Sequence, residues 1–186
     1  MSSDAQPADP VADGPEADAE SVARKVLLDQ LTGQARTRQE LATRLAKKNV
    51  PDDVAARLLD RFEEVGLVDD DAFARSWVAS RGAANGGANG GGKGLARRAL
   101  AQELRRKGVD DEIARGALDE IDPDDEETAA RALVRKKLRS VARVDTATAT
   151  RRLVGVLARK GYPPGLAFAV VRDELGAAQI EAPDAW

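Results

Sequence analysis

Apolar side chains recur along this chain with the spacing of amphipathic helices, and the clearest example begins at residue 100. Leu100 and Leu104 lie four residues apart and therefore share one helix face. Beyond Gly108, apolar positions continue at the same spacing. The pattern predicts a helix that ends at Lys107, a turn at Gly108 and a second helix from about Asp111.

The same hairpin pattern occurs three times along the chain. The residue after the lysine of each copy must adopt a left-handed conformation to end the first helix, and glycine and asparagine tolerate it. A further amphipathic helix precedes each hairpin, over residues 21–31, 69–80 and 125–140, so the repeating unit has three helices. The matching positions are Leu41, Leu45, Lys48, Asn49 and Val54 in the first copy, Leu100, Leu104, Lys107, Gly108 and Ile113 in the second, and Leu153, Leu157, Lys160, Gly161 and Leu166 in the third.

Three such units predict an all-α protein. Aromatic residues make up 3% of the chain, which disfavours a fold built on sheets. Helical repeats bury their apolar faces against their neighbours, so we expect three tandem three-helix repeats forming an elongated, curved array. The expected domains are a disordered acidic N-terminal tail over 1–19, repeat 1 over 20–66, repeat 2 over 67–122 with a glycine-rich loop at 82–94, repeat 3 over 123–176 and a loose C-terminal tail over 177–186.

Two pairs of residues inside the predicted helices need an explanation. Phe73 and Trp77 are four residues apart, and they either anchor the packing between helices or form a stacking platform for bases. We favour packing, because aromatic residues at helical spacing usually face a core. Gly116 and Gly155 lie within helices, where glycine costs up to about 1 kcal/mol relative to alanine. We expect close contact with another helix to explain both glycines.

The chain contains neither cysteine nor histidine. Their absence excludes disulfides, thiolate chemistry, the usual metal sites and every Ser-His or Cys-His pairing. No spacing places a pair of carboxylates in a cleft, so we predict a protein that is not an enzyme and uses no cofactor. No apolar segment approaches the length of a membrane span and the N-terminus has no signal pattern, which predicts a cytoplasmic protein without membrane contact.

The formal net charge of −3 conceals an uneven distribution. Residues 1–20 contain six acids and no base, whereas residues 131–160 contain ten bases and one acid, Asp145. A basic helical face is either an ordinary solvated surface or a phosphate-tracking one, and we favour the second for a segment this basic. The candidate binding residues are Arg98, Arg105, Arg106, Lys107, Arg131, Arg135, Lys136, Arg139, Arg151 and Arg152.

Three of these candidates repel one another. Arg131, Arg135 and Arg139 follow at i, i+4 spacing, where each pair of like charges costs a few tenths of a kcal/mol, on the order of 0.3. We expect a group outside the helix to offset this repulsion. Sequence-specific readout is disfavoured, because three hairpins in tandem do not resemble one recognition helix presented by a dimer.

Ordered motifs between about residues 21 and 176 resemble the RecX regulatory proteins. They are Arg36-Thr37-x-x-Glu40-Leu41, Leu45-x-x-Lys48, Gly66-Leu67-Val68-Asp69-Asp70-x-x-Phe73-Ala74, and Gly92-Lys93-Gly94 followed by Leu104-x-x-Lys107-Gly108-Val109. Two departures are Asn49, where glycine is usual after the lysine, and a longer glycine-rich insertion before Lys93. Asparagine is compatible with the same backbone, and we expect the insertion to change only a loop between helices.

The resemblance implies a regulator that binds along the groove of the RecA filament on DNA and suppresses its ATPase, strand-exchange and co-protease activities. The expected partners are therefore the RecA filament and single- or double-stranded DNA bound without sequence specificity, and we expect a monomer. The alternative is a general DNA-binding architectural protein that uses the same basic face without a RecA partner. A helical scaffold for another protein is the third hypothesis.

Overall fold

The structure, a computed structural model, describes residues 15–83 and 93–180. Within those two ranges the chain forms nine helices and no strand, which confirms the all-α class and the succession of three-helix repeats. None of these helices is both long and apolar enough to cross a membrane. The helices are α1 Pro15–Leu31, α2 Arg38–Ala46, α3 Asp52–Glu64, α4 Asp70–Arg81, α5 Arg97–Arg106, α6 Asp111–Asp119, α7 Pro123–Val141, α8 Thr146–Arg159 and α9 Pro164–Ile180.

The three hairpin turns share the predicted backbone. Asn49, Gly108 and Gly161 have φ values of 56°, 77° and 88°, so the left-handed position is confirmed in every copy. In each turn the next residue donates its N–H to the carbonyl of the leucine five positions earlier, at 3.2 Å in all three copies. This bond closes the end of the first helix in the same way each time.

Local sequence also explains where several helices begin. Thr37 and Glu40 form the predicted capping box ahead of α2, and each accepts a backbone N–H of the other. Asp110 caps α6 by accepting the N–H of Glu112 at 2.8 Å, and Asp145 caps α8 by accepting that of Thr148 at 2.9 Å. The caps satisfy N–H groups that the first helical turn leaves without a partner.

Two element boundaries differ from those we expected. α1 begins at Pro15, so residues 15–19 are helical rather than part of the disordered tail, because proline suits the first turn and the alanines and acids after it favour a helix. α9 continues to Ile180, so residues 177–180 of the expected loose tail are helical as well, since alanine and glutamine favour helix. The remainder of both predicted tails and the predicted glycine-rich loop, at 1–14, 181–186 and 84–92, lies outside the described residues.

The chain divides into two compact units, Met1–Phe73 and Ala74–Trp186. In the first unit, α1, α2 and α3 pack around a core that contains Leu27, Leu41 and Leu45, all fully buried. Arg38 ties α2 to α3, because its guanidinium donates to Asp60 and Glu63. The first repeat therefore has an apolar centre of its own.

The second unit contains α4 from Ala74 onward and α5 to α9. Leu100 and Leu104 are fully buried, as their shared helix face predicts. The helix predicted over 125–140 is amphipathic as expected: its apolar stripe includes Val134 and Val141, which are buried and pack with residues of α8 and α9. Burying this stripe turns the remaining sides of α7 toward α9 and toward solvent.

Residues 93–96, which we call the seating segment, connect the second repeat to the third. The N–H of Leu95 donates to the carbonyl of Arg81 at 2.9 Å, and the N–H of Ala96 donates to the carbonyl of Lys160 at 2.9 Å. The hydroxyl of Tyr162 donates to the carbonyl of Gly94 at 3.3 Å. The entry to α5 is therefore fixed on both sides by backbone groups.

The explanation that we expected for the two mid-helix glycines is wrong. A Cβ added at Gly116 would meet no atom of the described chain within 4 Å. One added at Gly155 would meet only the mobile end of Arg159, at 3.5 Å. Neither position is held by a close helix contact within the part of the chain that the structure describes; Gly116 is exposed and Gly155 is half-buried.

Candidate functional site

The basic side of α5 points away from the core. Arg98, Arg105 and Arg106 are exposed, on the opposite side of the helix from the buried leucines. Arg105 approaches Asp111 at 3.4 Å, but the two side chains are 71% and 70% exposed, so the ion pair contributes little. Among the described residues, Arg98 and Arg106 make no hydrogen bond or ion pair. These guanidiniums are available to an external anion.

A groove of about 480 Å³ runs between α5 and α6. Arg98, Arg105 and Arg115 line it, and all three are exposed. Arg97 also lines the groove, but its guanidinium already donates to Asp119 at 3.1 Å and to the carbonyl of Ile121 at 3.2 Å. Asp111, Asp119 and Glu126 line the groove as well, so its four arginines exceed its acids by only one charge.

Lys107 lies over an aromatic ring. Its ammonium is 4.9 Å from the ring centroid of Trp77, and the guanidinium carbon of Arg81 is 3.7 Å from the same centroid. The indole N–H donates to Glu103 at 2.9 Å. Phe73 is buried, which confirms the packing interpretation for that residue, whereas Trp77 is half-buried with its ring against cations.

The basic stripe of α7 consists of Arg131, Arg135 and Arg139. Its first two arginines bind carboxylates of α9. Arg135 donates to both oxygens of Glu174, from Nε to Oε2 at 2.7 Å and from Nη2 to Oε1 at 2.9 Å. Arg131 donates to Glu127 of its own helix at 2.7 Å, and to Asp173 and Glu174 at 3.3 and 3.4 Å. These carboxylates supply the negative charge that we expected to offset the repulsion within the stripe.

The carboxylate of Glu174 is at the centre of this arrangement. Its side chain is only 6% exposed, and a buried carboxylate is stable only when it is paired and hydrogen-bonded. The hydrogen bonds from Arg135, followed by those from Arg131, lower the pKa of Glu174. Bonding to Glu127 is the main cause that raises the pKa of Arg131. We call Arg131, Arg135 and Glu174 the α7–α9 clamp.

The outward side of α7 has a different set of cations. Lys136 and Arg139 are three positions apart on α7 and so share a face, Arg143 follows in the turn after the helix, and all three are exposed. Within the described ranges none of them forms an ion pair or a hydrogen bond. This face, unlike the clamp, is available to an external anion.

The last predicted cations lie on α8. Arg151 and Arg152 are exposed and have no ion-pair partner in the described chain, while Leu153 next to them is buried. The helix therefore presents both guanidiniums to solvent. The structure places the ten predicted residues in three settings: exposed faces of α5, α7 and α8, the α7–α9 clamp, and the ring of Trp77.

Sequence reasoning missed the surroundings of Trp77. Glu103 accepts from the Lys93 ammonium at 3.3 Å and lies 3.9 Å from a guanidinium nitrogen of Arg81. The contact between Trp77 and Glu103 joins residues 26 positions apart, beyond the reach of a helical pattern. The spacing of Trp77 and Arg81, four residues apart on one helix, was the signal that could have indicated a cation against the ring.

Three family models match the chain in order. The first three-helix domain of RecX matches residues 23–62, the second matches residues 69–118 and the third matches residues 124–171. Each range begins in or just before the first helix of a three-helix group and ends in the third, with the hairpin turn inside it.

Curated relatives and solved structures carry the same family name. "Regulatory protein RecX" of Thermobifida fusca is 47% identical over 159 residues, which cover 86% of this chain and 82% of that protein. The protein of that name from Mycolicibacterium smegmatis is 50% identical over 161 residues, 84% of this chain and 81% of the relative. The crystal structure of RecX from Lactobacillus salivarius has a TM-score of 0.74 at 20% identity, over 85% of this chain and 97% of that one, and so shares its fold.

Proposed function

This chain belongs to the RecX family of regulatory proteins, and from that premise we propose that it binds the RecA filament on DNA and lowers its ATPase, strand-exchange and co-protease activities. The relatives are named as regulators. The proposed action is therefore binding, without catalysis by this chain. We further propose that the protein acts as a monomer in the cytoplasm.

One observation carries the proposal beyond the family name. Six of the predicted binding residues are exposed cations without a hydrogen-bond or ion-pair partner in the described part of the chain: Arg98, Arg106, Lys136, Arg139, Arg151 and Arg152. Cations left without internal partners keep their full charge for phosphates. They lie on α5, α7 and α8, which are helices of the second and third repeats.

The remaining predicted residues divide by their contacts. Arg105 is exposed and only weakly paired, so we place it with the binding cations. Arg131 and Arg135 have internal carboxylate partners, and their proposed contribution is to fix the position of α7. Lys107 is proposed to contact the filament from its position over the Trp77 ring.

The decisive measurement is ATP hydrolysis by RecA on single-stranded DNA. Adding this protein at sub-stoichiometric or stoichiometric ratio is expected to lower the rate. A Lys136→Glu and Arg139→Glu double variant should need about tenfold more protein for half-inhibition, because it reverses two cations that we propose to face phosphates. Both side chains are exposed and unpaired within the described residues, so the fold should be retained.

A matched control reverses charges elsewhere. Lys25 and Arg44 are also exposed and without partners in the described chain, but they lie in the first repeat. The Lys25→Glu and Arg44→Glu double variant should inhibit like the unchanged protein. An unchanged ATPase rate with the wild-type chain would refute the RecA proposal, and tight binding to bare duplex at the same salt would favour the architectural alternative.

A further inference from the structure

Three cationic side chains contact Trp77 or Glu103 in the second unit, and a fourth contacts the backbone of one of these three residues. Arg81 and Lys107 lie over the Trp77 ring, and Lys93 donates to Glu103, which also accepts the indole N–H. Lys160 approaches Lys93 from the α8–α9 turn, and its ammonium donates to the backbone carbonyl of Lys93. We call these six residues the Trp77 cluster.

The backbone holds the Trp77 cluster in place. Arg81 at the end of α4 accepts the N–H of Leu95, and Lys160 accepts that of Ala96, both at 2.9 Å. The seating segment is thereby fixed between Arg81 and Lys160, two of the four cationic residues of the cluster. Lys93 is the first residue of that segment, and its carbonyl accepts a hydrogen bond from the Lys160 ammonium. Binding groups that are fixed in advance lose less entropy when a ligand arrives.

The contacts leave the cluster with a surplus of positive charge. Glu103 contributes one negative charge between Arg81 and Lys93, and its side chain is only 15% exposed. Lys160 adds a further cation beside Lys93. Burial, and then repulsion from Lys93, lower the pKa of Lys160. Such repulsion is relieved by an anion placed between the ammonium groups.

We propose that the Trp77 cluster is a phosphate-binding site for a single strand of nucleic acid, with Arg81, Lys93 and Lys160 contacting the backbone beside the indole. Single-strand sites combine a positive track with aromatic rings and arginine against them, which is the combination found here. An acidic peptide would use the cations but leave the indole without a role. The site shares only Lys107 with the surface proposed above, and it requires no RecA.

Trp77 provides a direct test. The chain has two tryptophans, so a Trp186→Phe background makes the emission report on Trp77 alone. Titration with a short oligothymidylate should change this emission saturably. A Lys93→Gln variant should weaken binding by about three- to tenfold at low salt and reduce the slope of log affinity against log salt by about 0.7 to 1. The Lys93 side chain is 56% exposed, so circular dichroism should show an unchanged fold.

Two further variants separate charge from structure. Lys48 occupies the same position of the first hairpin turn as Lys107 and Lys160, is exposed and has no partner in the described chain, so Lys48→Gln should change neither affinity nor slope. Glu103→Gln keeps an acceptor for the indole N–H and removes the negative charge, so it should tighten binding on the order of threefold. A merely structural Glu103 would not produce tighter binding.

The outcomes are distinct from those of the RecA assay. An emission that does not respond to oligothymidylate, or a salt slope that Lys93→Gln leaves unchanged, would overturn the site. Stronger quenching by polyglutamate than by oligothymidylate at equal charge would overturn it in favour of an acidic protein partner. If oligothymidylate binds as expected while RecA hydrolysis is unaffected, the proposed function fails and this site remains.

Discussion

Gly161 combines a left-handed backbone with a close contact that leaves no room for a side chain. It ends the first helix of the third hairpin with φ at 88°, and a Cβ added there would lie 2.5 Å from the backbone nitrogen of Ala99. Two independent constraints therefore require glycine: a left-handed conformation and the close approach of the first turn of α5. Backbone atoms of a packed helix cannot move aside as the end of a flexible side chain can.

We expect Gly161→Ala to lower the free energy of unfolding by about 3 kcal/mol or more, as the sum of left-handed strain and overpacking. Urea denaturation followed by circular dichroism measures it. Gly66→Ala is the matched control, because Gly66 has φ at 71° but no atom within 4 Å of its would-be Cβ, so only strain of about 1 kcal/mol applies. Equal losses for the two variants would show that the Ala99 contact is unimportant.

Residue-scale features were predictable wherever the cause is local. The left-handed turns at Asn49, Gly108 and Gly161 follow from a helix that must end after a lysine, and the capping box at Thr37 follows from four consecutive residues. The partners of Arg131 were not predictable, because Asp173 and Glu174 are 42 and 43 residues away. Charge spacing indicated that compensation was needed, but only the fold determines which carboxylates provide it.

At the scale of elements, the α7–α9 clamp joins the first and last helices of the third repeat. Glu174 accepts a bidentate pair of hydrogen bonds from Arg135, and charge-assisted hydrogen bonds of that geometry are stronger than neutral ones. The exposed pair between Arg172 and Asp173 on the same helix is different, since both partners contact water. Element packing here therefore depends on one buried acid more than on the number of ion pairs.

Glu174→Gln should lower the free energy of unfolding by about 1.5 to 3 kcal/mol at neutral pH, because the arginines lose a charged acceptor. The folded-state pKa of Glu174 is lowered, so its stabilisation is present above the unfolded value of about 4.3 and is lost as the pH falls through the lower folded value. The variant and the wild type should therefore converge below about pH 4 in urea titrations.

Asp173→Asn is the control for that experiment. Asp173 is 42% exposed and approaches Arg131 at 3.3 Å, so its loss should cost no more than about 1 kcal/mol. A Glu174→Gln variant that is no less stable than Asp173→Asn would contradict the clamp. The sequence predicted that α7 carries an apolar stripe and a basic stripe, but not that the basic stripe divides into a clamped part and a free part.

At the scale of the whole molecule, charge is distributed by repeat. Residues 131–160 contain ten bases and one acid within a chain whose formal net charge is −3. The overall value therefore says little about the partner, whereas the basic segment lies entirely in the third repeat, where we predict contact with a polyanion. Composition was sufficient to predict this division, because it depends only on which residues are present in each segment.

We expect binding to bare duplex DNA to be weak near 150 mM salt and to have a slope of about −5 in log affinity against log salt, which corresponds to six phosphate contacts. Fluorescence anisotropy of labelled duplex between 50 and 200 mM salt measures both quantities. A slope near zero would exclude phosphate contact by the unpaired cations, and nanomolar binding at 150 mM would favour the architectural alternative over a filament regulator.

The hydrogen bond between Tyr162 and Gly94 also affects when the nascent chain can finish folding. Its partners are 68 residues apart, and a ribosome adds roughly 5 to 20 residues per second, so the hydroxyl emerges about 3 to 14 seconds after the carbonyl that it binds. During that interval the entry to α5 waits without its partners from the α8–α9 turn. The second repeat of the nascent chain is therefore completed only when the third has left the ribosome, whereas the first has all of its core residues much earlier.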